Sequence, residues 1–344
     1  MMKANRMKII NREWFENLNL HSLDFENNFI ESLKDNHFRT MRSLKYIYLS
    51  INRIKEVNPL AFKSLVNLHT IDLKGNEINE MDYLDLNDSS IIDTLDLSFN
   101  KIQIIRKNFL ISLGNLRCLI LENNFIFDIE LYNMEIKFIE KIKMNNNRLT
   151  HLNEDMFKMT KITDLSLQYN LIEKIESNFA KYILNLNSLD LHQNKLKFIE
   201  DDALSNLNKL KSLYVYENQI SNLSFITDLI SLTILKAEHN LLEKIFKLYF
   251  LRLINLEHVS LSHNQIDFIE YDSFKNLTSL INLDLLGNKL RLIDDLLNIN
   301  YALTLNLNFN FINSLNIGKI LNKNPRSFTH LEMRYNNIRS IDIN

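Results

Sequence analysis

Residues 94–105 read TLDLSFNKIQII, and Asn100 is the residue whose reading decides the fold. Leu95 and Leu97 alternate with polar neighbours, which is the pattern of a short strand with one buried face. Ile102 and Ile105 carry the apolar run on beyond Asn100. A side-chain amide taken into such a run without partners costs roughly 2–7 kcal/mol, depending on the reference state. The local structure therefore has to supply partners for it.

Asparagine returns in the same setting at Asn28, Asn52, Asn76, Asn100, Asn124, Asn147, Asn170, Asn194, Asn218, Asn240, Asn264, Asn288, Asn310 and Asn336, in steps of 22 to 26 residues. Around each of these fourteen, the residues eight, five and three before and two and five after are apolar, with Ala237 and Ala302 the smallest. Only 46% of the 344 residues are hydrophobic, so an unbroken match at five offsets defines a repeat. Each repeat contributes one short strand and a return arm, and the strands must stack in parallel. A tight turn after every strand leaves backbone N–H and C=O groups pointing inward with no sheet partner, and buried backbone groups need partners. An asparagine amide carries two donors and an acceptor. The spacing predicts that Asn100 and its equivalents form a structural ladder, each bridging its own turn to the next.

These residues resemble the leucine-rich repeat family, L-x-x-L-x-L-x-x-N-x-L, over nearly the whole chain. Most steps are 23 or 24 residues, and Phe38, Phe62, Phe109, Phe157, Phe179 and Phe274 stand nine or ten positions after their Asn. That looks like the typical extracellular subclass of Toll-type receptor, chaoptin and slit ectodomains. The resemblance implies an α/β solenoid: a leucine-rich repeat horseshoe with a parallel β-sheet on its concave face, about fourteen repeats and a partial N-terminal one. It also implies a non-enzymatic, protein-binding role in a cell-surface or secreted receptor or adhesion protein, the alternative being a cytoplasmic scaffold or regulatory subunit.

Asn5 precedes Asn28 by 23 residues, with Met7, Ile10 and Phe15 following as in the second half of a repeat. Residues 1–19 are accordingly expected to be a partial repeat and 20–344 the solenoid, whose last repeat stops at Asn344, soon after Ile338 and Ile341. Array ends need covering, so the expectation is a piece of a longer protein, or ends covered by a partner or by self-association.

Forty basic and 42 acidic residues give a net charge of −2, which provides no electrostatic footprint for nucleic acid. Cys118 is the single cysteine, so no internal disulfide forms, and no uncharged apolar stretch of 18 residues marks a membrane span. Gly75, Gly114, Gly287 and Gly318 make no phosphate-binding loop, and the paired acids Asp201–Asp202 and Asp294–Asp295 fall in return arms. No catalytic residue, cofactor or metal is expected. Sequons stand at Asn87, Asn222 and Asn276.

Binding is expected on the outward residues of the strands. The position four before the ladder Asn is acidic in Asp24, Asp72, Asp96, Asp190, Asp284 and Glu332, which the family's common LDLS string explains. Less ordinary is a block that gathers His192, then Tyr214, Tyr216 and Glu217, then Lys236, Glu238 and His239, then His258 and His263 on consecutive strands. Strands about 4.7–4.9 Å apart make these one patch, and Tyr is enriched at interface anchors. The patch is the expected protein-ligand site, the four His making its binding pH-dependent.

Overall fold

The computed structural model describes residues 2–15, 18–35, 37–86, 92–106, 108–109, 116–129, 139–152, 157, 161–293, 303–316 and 328–342. Asn87, Gly114, Asp294, Asp295, Ala302, Gly318 and Asn344 lie outside the described residues. The chain divides into two units, Met1–Leu171 and Ile172–Asn344.

Among the described residues the first unit carries seven sheet strands: β1 (Ser22–Asp24), β2 (Tyr46–Tyr48), β3 (Thr70–Asp72), β4 (Thr94–Asp96), β5 (Cys118–Ile120), β6 (Lys141–Lys143) and β7 (Asp164–Ser166). The second carries another seven: β8 (Ser188–Asp190), β9 (Ser212–Tyr214), β10 (Ile234–Lys236), β11 (His258–Ser260), β12 (Asn282–Asp284), β13 (Leu303–Asn306) and β14 (Phe328–Glu332). Within each unit every successive pair is parallel and set so that equivalent repeat positions face one another, as Thr94, Leu95 and Asp96 face Cys118, Leu119 and Ile120. The one shift falls between β13 and β14, where the 26-residue step is absorbed by an irregularity at Leu303 and Thr304.

Each strand shows its middle residue to the core and its two ends to the open face, because successive side chains alternate. Leu95, Leu97, Ile102 and Ile105 are all at most 1% exposed, and their equivalents are buried throughout the described repeats with few departures. Leu20, Val57 and Ile129 are half-buried. Around Asn336, Leu331 and Ile341 are 37% and 55% exposed, since β14 has a neighbouring strand on one side only among the described residues.

The ladder has the same form in each repeat. Asn100 is 5% exposed. Its Nδ2 donates to the carbonyls of Leu73 in the preceding turn (3.0 Å) and of Leu97 and Ser98 in its own (3.1 and 3.3 Å), while its Oδ1 accepts the Ile78 N–H at 3.0 Å. The equivalent set recurs at Asn264, which donates to Ala237, Leu261 and Ser262 and accepts from Leu242. Asn5 joins the series: its Nδ2 donates to the Met2 and Lys3 carbonyls, and the Met7 N–H is received by Asn28.

A further regularity was not legible beforehand. The residue directly before each ladder Asn, from Ala4 and Asn27 to Phe309 and Tyr335, has φ between 50° and 67°. The left-handed conformation turns the chain sharply enough to bring the amide inward. It is natural for Gly75 and Gly287 but costs roughly 1–2 kcal/mol at an ordinary L-residue. Ile51, β-branched and 55% exposed, is the most strained of these by side-chain type.

The return arms contain little helix. The helical segments that lie wholly within the described residues are the four-residue Arg12–Phe15, Phe179–Tyr182 and Lys247–Phe250 and the three-residue Ser224–Ile226. The arms are too short to repay helix nucleation, which leaves isolated helices under about 12–15 residues marginal. They are held instead by the phenylalanines, of which Phe38, Phe62, Phe109, Phe157, Phe179 and Phe274 are each at most 3% exposed. Phe38 and Phe62 stack at 5.8 Å across neighbouring repeats.

Replacing Asn100 by Ala orphans the Ile78 N–H and removes one of the two donors to each of the Leu73 and Leu97 carbonyls, which keep those of Asn76 and Asn124; it is expected to cost about 1–3 kcal/mol, read as a lower urea midpoint. Gln103→Ala, on the exposed side of the same repeat, should stay within about 0.5 kcal/mol of wild type. Equal losses would place the ladder elsewhere. Ile51→Asn should move the other way, raising stability by roughly 1 kcal/mol, because Asn accepts the left-handed conformation that a β-branched residue resists.

Candidate functional site

The second unit brings most of the expected patch together. Tyr214, at the end of β9, faces Asp190 and Lys236 on either side, and Lys236 faces Ser260, which faces Asp284. This outward column lies beside a second one formed two residows further along each repeat by His192, Tyr216, Glu238 and Ser262. A third consists of the left-handed residues Gln193, Glu217, His239, His263 and Gly287.

Both His pairs of ring contacts run along these columns. His192 lies flat on Tyr216 with ring centroids 4.2 Å apart and 9° between planes. Its Nδ1 is 2.6 Å from Asp190 Oδ1, and it is only 7% exposed. His192 is therefore packed into the floor of the patch. His239 and His263 stack at 4.4 Å and 10°. Gly287 makes room for that stack, since a Cβ there would sit 2.8 Å from His263 Nδ1. Gln193 donates to Glu217 in the same column.

Between the columns is a depression of about 460 Å3. Tyr216, Glu217, Lys236, Glu238 and His239 line it, together with Ser260, Ser262 and Asn282, which sequence reasoning did not single out, and Asp284, which it read as part of the common LDLS string. Their small polar side chains look like ordinary repeat residues, and only their register beside Lys236 and Glu238 reveals them. His258, at the opposite end of β11, is exposed and outside the depression, and Tyr214 and His263 are at its edge rather than in its lining. Glu238 Oε2 is buried without a hydrogen-bond donor.

The acidic column has a structural task. Asp24, Asp72, Asp96, Asp190 and Asp284 each accept, through Oδ1, the N–H of the residue two further on, at 2.8–3.2 Å. Asn306 does the same at its own turn. This short-range bond is the physical content of the recurring aspartate. Burial raises the Asp72 and Asp284 carboxyls above the ordinary value of 3.8, against the pull of the Lys74 and Leu286 N–H groups. Among the described residues no group of three or more His, Cys, Asp or Glu is placed to hold a metal, and no helix is long and apolar enough to cross a membrane.

Known proteins share this architecture. A leucine-rich repeat family model matches residues 19–78, 184–242 and 230–290. Lumican of Oryctolagus cuniculus is 32% identical over 184 residues, which are 51% of this chain and 92% of that protein. The chain belongs to the leucine-rich repeat family. This leucine-rich repeat chain is also similar to podocan of Mus musculus, at 31% over 189 residues, and to lumican of Homo sapiens, at 32% over 189 residues. Each match takes 52% of the chain but only 30% and 53% of the respective relative, so the chain spans about half or less of their length. Among solved structures, the Toll–Spatzle complex of Drosophila contains a chain with a TM-score of 0.86 at 22% identity, covering 98% of this chain and 47% of that one. A leucine-rich repeat protein of Leptospira interrogans gives 0.77 at 22%, covering 98% and 90%. At these identities the likeness is one of fold.

A raised carboxyl value in the folded state means that ionising Asp284 opposes folding at neutral pH, and that this opposition fades as pH falls through the folded value towards the unfolded one. Asp284→Asn keeps the Oδ1 acceptor and removes the charge, as Asn306 does naturally. The variant is expected to unfold at higher urea than wild type at pH 7, with the gap closing towards about pH 3.9. A gap that widens on acidification would show that the charge is stabilising.

Proposed function

We propose that this chain is a non-enzymatic protein-binding solenoid from a cell-surface or secreted receptor or adhesion protein, and that its ligand sits on the open strand face over the depression beside Tyr216 and Glu238. The observation that carries this reading is that depression: among the described residues the exposed Lys236 has no ion pair, and a buried carboxylate oxygen of Glu238 has no donor, in the same hollow. Polar groups left in this state are those that a partner surface completes. Tyr214 and Tyr216 add apolar area at low entropy cost.

The relatives point the same way. Two proteins of this fold are known in complexes with protein or peptide ligands: Toll with Spatzle, and the plant peptide hormone receptor RGFR1 with RGF2, the latter at a TM-score of 0.68 and 20% identity. The strand face, expected to be the concave one, is where a solenoid presents the most side chains of independent identity to one ligand.

The test uses Tyr214→Ala and Lys236→Ala. Tyr216 is unsuited to it, because its stack on His192 makes truncation a packing change as well. A ligand recovered on the immobilised wild-type chain should bind Tyr214→Ala more weakly by at least about 2 kcal/mol, with folding stability kept within about 0.5 kcal/mol. Wild-type affinity in both variants would move the site to another stretch of the face, of which Tyr46 and Tyr48 are the next candidates.

A further inference from the structure

A second depression, of about 470 Å3, lies away from the strand face, on the flank that follows the ladder residues Asn288, Asn310 and Asn336. Arg291, Asn313 and Arg339 occupy the same offset, three after the ladder Asn, in three consecutive repeats. Ser314 and Ser340 follow Asn313 and Arg339 and face one another in a short parallel pair formed by Ser314–Asn316 and Ser340–Asp342. The Arg339 N–H donates to the Asn313 carbonyl at 2.9 Å, which fixes the two backbones side by side. Arg291, Arg339, Asn313, Asn337, Ser314 and Ser340 are the polar residues of the lining, and Phe311, 51% exposed, is its apolar wall.

Among the described lining residues every polar side chain is a hydrogen-bond donor, two are permanently cationic, and none is a carboxylate. At the same offset in an earlier repeat of this unit, a cation is matched with the acid of the neighbouring repeat: Lys197 is 3.7 Å from Glu173. Arg291 has such an acid available at the equivalent position one repeat back, Asp267, yet makes no ion pair with it and shares the depression with Arg339 instead. Two guanidinium groups at one hollow repel each other unless an anion stands between them. Guanidinium is also the side chain whose planar fork matches the oxygens of phosphate or sulfate two at a time.

We propose that this flank depression binds a tetrahedral oxyanion, a phosphate or sulfate group, held between Arg291 and Arg339 with the Asn313 and Asn337 amides and the Ser314 and Ser340 hydroxyls as further donors. The site stands apart from the ligand face and does not depend on it. Phe311 beside the anion favours an ester whose organic part lies on the ring over a free ion.

The test is a titration of the whole chain with sodium phosphate, sodium sulfate and phenyl phosphate at constant ionic strength, followed by amide NMR shifts. Saturable shifts centred on residues 289–291, 311–314 and 337–340 are expected. The Arg291→Gln, Arg339→Gln double variant should weaken binding at least about tenfold, as loss of hydrogen bonds to a charged group implies. Tighter binding of phenyl phosphate would identify an ester as the ligand, and equal binding a free anion; either supports the site. Arg291→Lys with Arg339→Lys keeps the charge and should bind more weakly than wild type but better than the Gln pair. Shifts spread evenly over the surface, or wild-type affinity in a Gln variant that retains the wild-type circular dichroism, would overturn the proposal.

Discussion

The ladder asparagine is the interaction on which everything else in this molecule rests. A parallel coil with a strand of three residues per repeat has little sheet to hold it, and its turns aim backbone groups at the core. One amide per repeat resolves this by reaching the preceding turn with a donor and the preceding repeat's next N–H with its acceptor, as Asn100 does with Leu73 and Ile78. The cost of an unmet buried amide makes the position intolerant. The same bonds tie neighbouring repeats together, so that phenylalanines of successive return arms meet, as Phe38 and Phe62 do, and the leucines are buried.

Bringing that amide inward imposes a second constraint on the residue before it. The left-handed conformation at Ile51, Phe99, Tyr169, Glu217, His239 and His263 is a consequence of the ladder, not of those side chains, and most of them are poor choices for it. Their reward is position: the turn lifts them into a column beside the open face, where His239 and His263 stack over the space left by Gly287. The aspartate four before the ladder residue anchors the entry to the same turn through the N–H two residues on. Strain, anchor and ladder form one unit per repeat.

Function has to be written in what this unit leaves free. Tyr214, Lys236 and Glu238 stand at offsets where the fold requires only that the side chain point outward, and the depression that Lys236 and Glu238 line also takes in the short Ser260 and Ser262 of the next repeat. On the flank, Arg291 and Arg339 are likewise unconstrained by the repeat. Among the described residues they share with Lys236 the lack of an ion pair, on a surface where many charges have one.

The repeat, the register and the core follow from residue order alone, because five apolar offsets and one asparagine recur without exception and a period of that kind calls for a stacked parallel coil. The same order also placed Tyr216, Glu217, Lys236, Glu238 and His239 on one surface, since equal offsets become neighbours. Only the tertiary structure decided the rest. That His192 is floor depends on its stack with Tyr216, and that His258 lies outside the hollow while Asn282 beside it lines it depends on how neighbouring side chains pack. The left-handed turns, the task of Asp284 and the sparse helix of the arms come from hydrogen bonds that no residue type announces. The meeting of Arg291 with Arg339 joins residues 48 apart in the chain. Periodicity survives in a sequence because it is repeated; a site made once, by side chains of different repeats converging, leaves no period to read.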